Sequence, residues 1–336
     1  GEHKGDGDED KYYSDPFGGS LGREESHSKP SFPPISRTEK ASSHSEYLSV
    51  TSVDIPKFGE TSRIKNNSAI SLEEQLPKPE KTLIMDHKNQ FYSSAYDVDF
   101  LGLDVQDLAN QWTLIQHNNY SLIHPDELNN CNFNGKNKEK LASNLLHFIR
   151  FDQKVSSWLA DEICSCDDTD KRVQIIEKII ELGDLCLKMN NFSAAQMVRG
   201  ALKGTPVFRL SKTWDKVSGE AKEVLKKITT LQENNFLLYR NAIKTLKPPC
   251  LPFVGVFLSD LTFSYDGNPT RCGSLVNLQK IKLIGNIISN ILMYQKTQYP
   301  LTVNPYIQTV IHQKLDNIMD EDERYQLSYK IEGRGK

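Results

Sequence analysis

The sequence predicts an all-α fold: a single multi-helix orthogonal domain with a protruding helical hairpin, preceded by a disordered leader. Three observations carry this. Beyond residue 90, apolar residues recur at helical spacing in one segment after another, and period-two alternation bounded by hairpin turns is missing. Near the same residue the composition shifts away from Ser, Pro, Gly, Lys, Glu and Asp, which places a leader at 1–85 and the folded unit at 86–336. The leader is too poor in Leu, Ile and Val to offset its ordering entropy. Phe32-Pro33-Pro34 supplies local polyproline geometry at most.

Asp104 caps the first helix, which spans about 104 to 117 and carries Leu108, Trp112, Leu114 and Ile115 at helical spacing. Pro125 suits the first turn of a short helix containing Glu127 and Leu128. From Lys138 to Cys164, Leu141, Leu145, Phe148, Ile149, Trp158, Leu159 and Ile163 form stripes on one or two helices. After Asp168, the segment Lys171 to Met189 carries an apolar stripe broader than a surface helix requires, and it is expected to be buried on much of its circumference. Asn190-Asn191 breaks that pattern, Phe192 to Leu202 resumes it, and Gly204-Thr205-Pro206 stops it. Ser218-Gly219 then opens a long helix through Val224, Leu225, Ile228, Leu231 and Phe236 that ends around Leu246. Asn277 to Gln295 follows with Leu278, Ile281, Ile284, Ile288, Ile291 and Leu292, and two helices at about 305–317 and 320–331 close the domain.

Composition and motifs exclude much. A net charge of −3 with no arginine-rich stripe interleaved with aromatics argues against a nucleic-acid partner. No apolar run approaches the roughly 18 to 20 residues of a membrane span. The Gly1 start has no apolar signal region, and without Met it is compatible with a fragment. Cys131, Cys164, Cys166, Cys186, Cys250 and Cys272 lack zinc-type spacing, so neither metal nor cofactor is expected, and they read as incidental thiols of a reduced cytosolic protein. Phosphate-loop, dinucleotide, kinase and hydrolase-elbow motifs are all absent. His117, His124, His147 and His312 read as surface or core-edge residues, and the acidic clusters Asp167-Asp168 and Asp320-Glu321-Asp322-Glu323 as helix starts. Catalysis, if present, makes and breaks no bonds.

The stretch PPCLPFVGVFLSDLTFSYDGNP, Pro248 to Pro269, is unusual. Pro248-Pro249 must end the preceding helix, since proline lacks an amide hydrogen and disfavours helical geometry in the residue before it. Cys250 to Phe263 is expected to be helical, Gly267-Asn268-Pro269 turns the chain, and the helix from Asn277 returns. The product is a helical hairpin with Asp266 at its tip.

Three stretches then occur in a telling order. Phe151 to Ile163 (FDQKVSSWLADEI), Asn191 to Trp214 (NFSAAQMVRGALKGTPVFRLSKTW) and Pro248 to Pro269 resemble the three signature regions of the catalytic domain of Ras-family guanine-nucleotide exchange factors. The resemblance extends from Asp104 to Glu332, and within the family the chain looks like the fungal members, including the bud-site-selection exchange factor.

That resemblance implies a function. Family members open the nucleotide site of a small GTPase by inserting the hairpin beside switch I while the rest of the surface grips switch II. It places Thr262 near the site vacated by magnesium, Asp266 near the phosphate-binding site, and Asn268 where it shapes the tip. Phe253 and Ser259 would position the hairpin, and Lys203, Phe208 and Phe236 would contact the GTPase. Asn191, Pro206, Arg209 and Leu210 would hold the fold. The implied partner is a Ras-like small GTPase (Ras, Rap or a fungal bud-site relative). Localisation would be cytoplasmic with recruitment to the cytoplasmic face of the plasma membrane, and membrane contact only peripheral or through the GTPase. The alternative is a scaffold that docks a GTPase with little or no exchange. Asp266 stands where many members have glutamate, Lys203 where asparagine is common, and Gly333 where proline is usual. Family members usually carry a helical exchanger-motif domain that buttresses the hairpin, and residues 1–85 do not read as one: either it is missing from this fragment, or the hairpin is steadied otherwise, with reduced activity.

Overall fold

Eight of the fourteen α-helices among the described residues start on a side chain that accepts a backbone N–H from their own first turn, which is why the helices begin where they do. The caps are Asp104, His124, Asp168, Asn191, Ser218, Asn277, Asn304 and Asp320. The structure, a computed structural model, describes residues 98–333 and the short strands Ile84–Met85 (β1) and Phe91–Tyr92 (β2), which pair antiparallel. The leader otherwise lies outside the described residues.

In chain order the helices are α1 (Val105–Ser121), α2 (Pro125–Leu128), α3 (Lys138–Leu141), α4 (Ser143–Cys164), α5 (Thr169–Lys188), α6 (Phe192–Lys203) and α7 (Thr205–Phe208). They continue as α8 (Ser211–Lys216), α9 (Gly219–Thr230), α10 (Glu233–Thr245), α11 (Val254–Asp266), α12 (Leu278–Leu292), α13 (Pro305–Lys314) and α14 (Glu321–Ile331). Between α11 and α12 stands a two-stranded ribbon, β3 (Arg271–Cys272) with β4 (Leu275–Val276), closed by Gly273 in the left-handed region at φ 65° and Ser274.

The broad stripe of α5 has the expected consequence: Val173, Ile175, Ile176, Ile179, Ile180, Leu182 and Cys186 are buried, and the helix packs against α1, α4, α6, α8 and α9. Around this centre, α4 packs on α6 and α14, and α13 on α1. The closing helix is latched by polar contacts. Arg324 Nε donates to Asp161 (2.5 Å), Arg209 donates to the Ser328 carbonyl (2.6 Å) with its guanidinium over Tyr325 and Tyr329, and Glu332 accepts from Thr213. Arg209 thus holds the fold, as do the buried Asn191, Pro206 and Leu210.

Four expectations need correction. The single long helix from Ser218 to Leu246 is two, α9 and α10, parted by a turn at Leu231-Gln232, and a kink at the start of α10 follows where Asn234, Asn235 and Phe236 take positive φ of 49°, 55° and 60°. Asparagine tolerates that region better than most residues. The hairpin helix begins at Val254, since Pro252 disfavours helical geometry at Leu251 and Leu251 bridges to Asn191 instead. It also runs to Asp266 rather than stopping at Phe263. Sheet among the described residues amounts to two ribbons of two-residue strands, in keeping with the all-α expectation. Among the histidines, His117 is buried rather than at an edge, and burial holds its imidazole pKa down.

Candidate functional site

The hairpin α11–α12 starts from a fixed base. The Leu251 N–H donates to the Asn190 carbonyl (3.1 Å) and the Leu251 carbonyl accepts from Phe192 N–H (2.9 Å), so the chain entering α11 is tied to the α5–α6 junction. Two residues on, the Phe253 carbonyl accepts the Tyr239 hydroxyl (3.2 Å), and the Phe253 ring stacks on Phe236 at 5.7 Å between centroids. Higher up, Arg240 grips Asp260 through two hydrogen bonds of 2.6 and 2.8 Å. This bidentate pair fixes the rotation of α11 against α10.

The upper half of α11 leans on the loop after α2. Tyr265 donates its hydroxyl to Asn129 Oδ1 (2.8 Å) and accepts from the Asn130 N–H (2.8 Å). Asn134 Nδ2 donates to Thr262 Oγ1 (3.3 Å), while the Thr262 hydroxyl donates back to the Leu258 carbonyl (3.0 Å). Beside them the Cys131 thiol approaches Thr262 Oγ1 at 4.0 Å, and burial pushes its pKa up, so it stays a neutral thiol. Thr262 is half-buried in this contact, whereas Phe263 is 69 % exposed and Asp266, the last residue of α11, is exposed. Residues 262 and 266 are four apart on one helix and share a face.

At the tip, Asn268 Nδ2 donates to the Ser264 carbonyl (3.0 Å), and Gly267 N–H to Phe263 O (2.9 Å). A Cβ on Gly267 would meet that same carbonyl oxygen at 2.9 Å, so the glycine is set by close approach and not by its φ of −79°. Ser259 is exposed on α11.

A second cluster lies on α6, α7, α8 and α9. Phe208 is 61 % exposed, and the Lys203 ammonium sits 5.3 Å from its ring centroid. Together with Trp214, Lys222, Leu225, Lys226 and Thr229 they line a groove of about 310 Å³. The structure therefore brings Phe236 to Phe253, and Lys203 to Phe208, while Thr262, Asp266 and Asn268 share the upper hairpin. Among the described residues no group of His, Cys, Asp and Glu could hold a metal ion, and no helix is long and apolar enough to cross a membrane.

Sequence reasoning missed Tyr265, Asn134, the Arg240–Asp260 pair and Lys280. Lys280 had a signal. It lies in register with Ile284 and Ile291, the residues α12 buries, whereas Leu278 and Ile281, read as part of the apolar stripe, are 73 % and 55 % exposed. Its Nζ donates to the carbonyls of Tyr265 (2.7 Å) and Asn268 (2.6 Å).

The described residues thus form an all-helical domain whose braced hairpin carries a half-buried threonine and an exposed carboxylate on one face. Residues 107–282 match the RasGEF domain, and the chain belongs to that family. It is 36 % identical over 213 residues to Ras guanine nucleotide exchange factor Y of Dictyostelium discoideum, covering 62 % of this chain and 14 % of that protein. It is 32 % identical over 247 residues to cell division control protein 25 of Saccharomyces cerevisiae (70 % and 15 %). To the mouse Ras-specific guanine nucleotide-releasing factor RalGPS2 it is 32 % identical over 253 residues (73 % and 42 %). The matched region thus spans about a seventh of the length of the first two relatives.

Proposed function

We propose that the chain acts as a guanine-nucleotide exchange factor, promoting GDP release from a Ras-like small GTPase by inserting the α11–α12 hairpin beside switch I. The observation that carries this reading is the upper face of α11, where exposed Asp266 stands one turn beyond Thr262 on a helix braced at its base, middle and tip. A GTPase holds its nucleotide mainly through charged phosphates and magnesium. A carboxylate brought beside the phosphate site, with a packed side chain beside the magnesium site, weakens those contacts without covalent chemistry. The domain is a catalyst by differential binding: it stabilises the nucleotide-free GTPase and leaves when either nucleotide returns. The cell's nucleotide ratio then sets the direction by mass action.

In this reading Lys203, Phe208 and Phe236 meet the switch II side, and Phe253, Ser259 and Asn268 hold the hairpin's aim. The protein would work on the cytoplasmic face of the plasma membrane, reaching it peripherally or through the lipidated GTPase. The many bonds from residues 129–134 and Arg240 to α11 support a hairpin steadied from within its own domain.

The test is release of a fluorescent GDP analogue from Ras, Rap and fungal bud-site GTPases with excess unlabelled nucleotide. Wild type is expected to accelerate release, and the double variant Asp266→Ala, Thr262→Ala to lose most of that acceleration while still binding nucleotide-free GTPase. Binding with no acceleration by wild type on any of them would replace this reading with the docking scaffold.

A further inference from the structure

Lys280 is a buried lysine at a position where a helix disfavours one. It stands in the first turn of α12, near the positive end of that helix's dipole, and only 8 % of the residue is exposed. Lysine is almost never this buried unless its ammonium is partnered. Here all three donors have a partner: Tyr265 O at 2.7 Å, Asn268 O at 2.6 Å and Thr270 Oγ1 at 3.3 Å. The ammonium also lies 5.4 Å from the Tyr265 ring centroid.

These partners belong to the far arm of the hairpin. Tyr265 O is one of the last carbonyls of α11, which no helical N–H can reach, and Asn268 O and Thr270 Oγ1 lie in the turn beyond it. Lys280 therefore caps α11 from α12, at the helix end where a cation is favoured. Asn277, three residues earlier, closes the same loop, its N–H donating to Thr270 O (3.0 Å) and its Nδ2 to Pro269 O (2.9 Å) while its Oδ1 accepts from Lys280 N–H (3.1 Å). One lysine thus sets how far the α11 terminus, with Asp266 on its last turn, stands from α12.

Resting on the exchange reading above, we propose that Lys280 is a positioning residue for nucleotide release: its ammonium locks the hairpin tip in the geometry that presents Asp266. The side chain acts through the backbone of 265–270 and needs no contact with the GTPase.

The experiment compares wild type, Lys280→Met, Lys280→Arg and Thr270→Val in saturation kinetics of GDP-analogue release, with amide hydrogen exchange on the free proteins. Lys280→Met keeps the alkyl stem and loses the donors. It is expected to lower kcat about 10-fold or more with KM changed less than about 3-fold, and to speed exchange at the amides of Gly267 and Asn277 while α5 and α6 stay protected. Lys280→Arg should recover part of the kcat, and Thr270→Val, which removes only the longest contact at an exposed residue, should lower it about 2-fold. Should Lys280→Met fail to fold, the Arg and Val variants decide alone. Wild-type kcat in the folded Met variant, or in both Arg and Val variants with unaltered tip exchange, would overturn the proposal while leaving the exchange reading intact. Loss of kcat and rise of KM in step with loss of protection throughout the domain would reduce Lys280 to a general stabiliser. A wild-type protein inactive on every GTPase would overturn the exchange reading, and a role for Lys280 in it.

Discussion

Leu251 and Asn191 lie side by side in a parallel bridge, so the segment that launches the hairpin is hydrogen-bonded to the first residues of α6. Asn191 is itself fully buried. Its Nδ2 donates to Thr113 Oγ1 (3.0 Å) and Gln116 Oε1 (2.7 Å), and its Oδ1 caps α6 by accepting from Ala194 N–H (2.9 Å). Asn191→Ala removes a cap and leaves buried partners unsatisfied. A loss of about 3 kcal/mol is expected, read from the midpoint of denaturant unfolding.

Gln116 continues that network to Asp152, whose oxygens accept from Gln116 Nε2 (2.5 Å) and Ser193 Oγ (2.6 Å). Both donors are neutral, and burial pushes the carboxyl up to about 7. A folded pKa above the unfolded one means the native state binds more protons, so the contribution is fully present below the unfolded carboxylate range and is lost as pH rises through about 7. Asp152→Asn can keep both contacts, its oxygen accepting from Gln116 and its amide donating to Ser193. Relative to this variant, wild type is expected to lose about 2–3 kcal/mol of stability between about pH 5 and pH 9, measured by urea titration across that range.

The parts of this fold that were legible in the sequence are those set locally. Asp104, Asp168, Asn277 and Asp320 mark helix starts because a short polar side chain before an apolar stripe competes for the first N–H groups. The kink at Asn234-Asn235 carried the same signal as Asn190-Asn191, but the apolar spacing of Leu231 and Phe236 ran through it. The hairpin's existence followed from its prolines; which face of α12 is buried did not. Leu278 and Ile281 look like core and stand in the open, while Lys280 goes inside, because the partner surface is the polar end of α11. Pairings such as Arg240 with Asp260 and Tyr265 with Asn129 join segments that only the assembled fold brings together.

Gly183 sits in the middle of α5, where glycine costs about 1 kcal/mol in helix propensity relative to alanine. Its reason is packing. A Cβ there would come within 2.9 Å of both Ile228 Cδ1 on α9 and Val198 Cγ1 on α6. Overpacking of this kind costs about 1–3 kcal/mol and outweighs the propensity gain. Gly183→Ala is expected to destabilise by about 1 kcal/mol, and adding Ile228→Val, which deletes one clashing methyl, to recover part of it. A thermal-unfolding double-mutant cycle measures the recovery, and full additivity of the two losses would show that the clash is not the cause.

Two phenylalanines of the expected site, Phe253 to position the hairpin and Phe208 to meet the partner, have different surroundings, and this separates docking from support. Phe253 is buried against Phe236, so Phe253→Ala should cost about 3 kcal/mol of stability. Phe208 is mostly exposed, with the Lys203 ammonium over its ring, so Phe208→Ala should change stability by less than about 0.5 kcal/mol. A large aromatic left in water at the edge of a lysine-lined groove is the type of side chain that anchors a protein interface. If it does so here, Phe208→Ala raises KM for the GTPase about 10-fold or more with kcat nearly unchanged, since the anchor serves docking and the α11 tip serves release. Saturation kinetics on the folded variant decides between these assignments: a fall in kcat at constant KM would move Phe208 from docking to the release step.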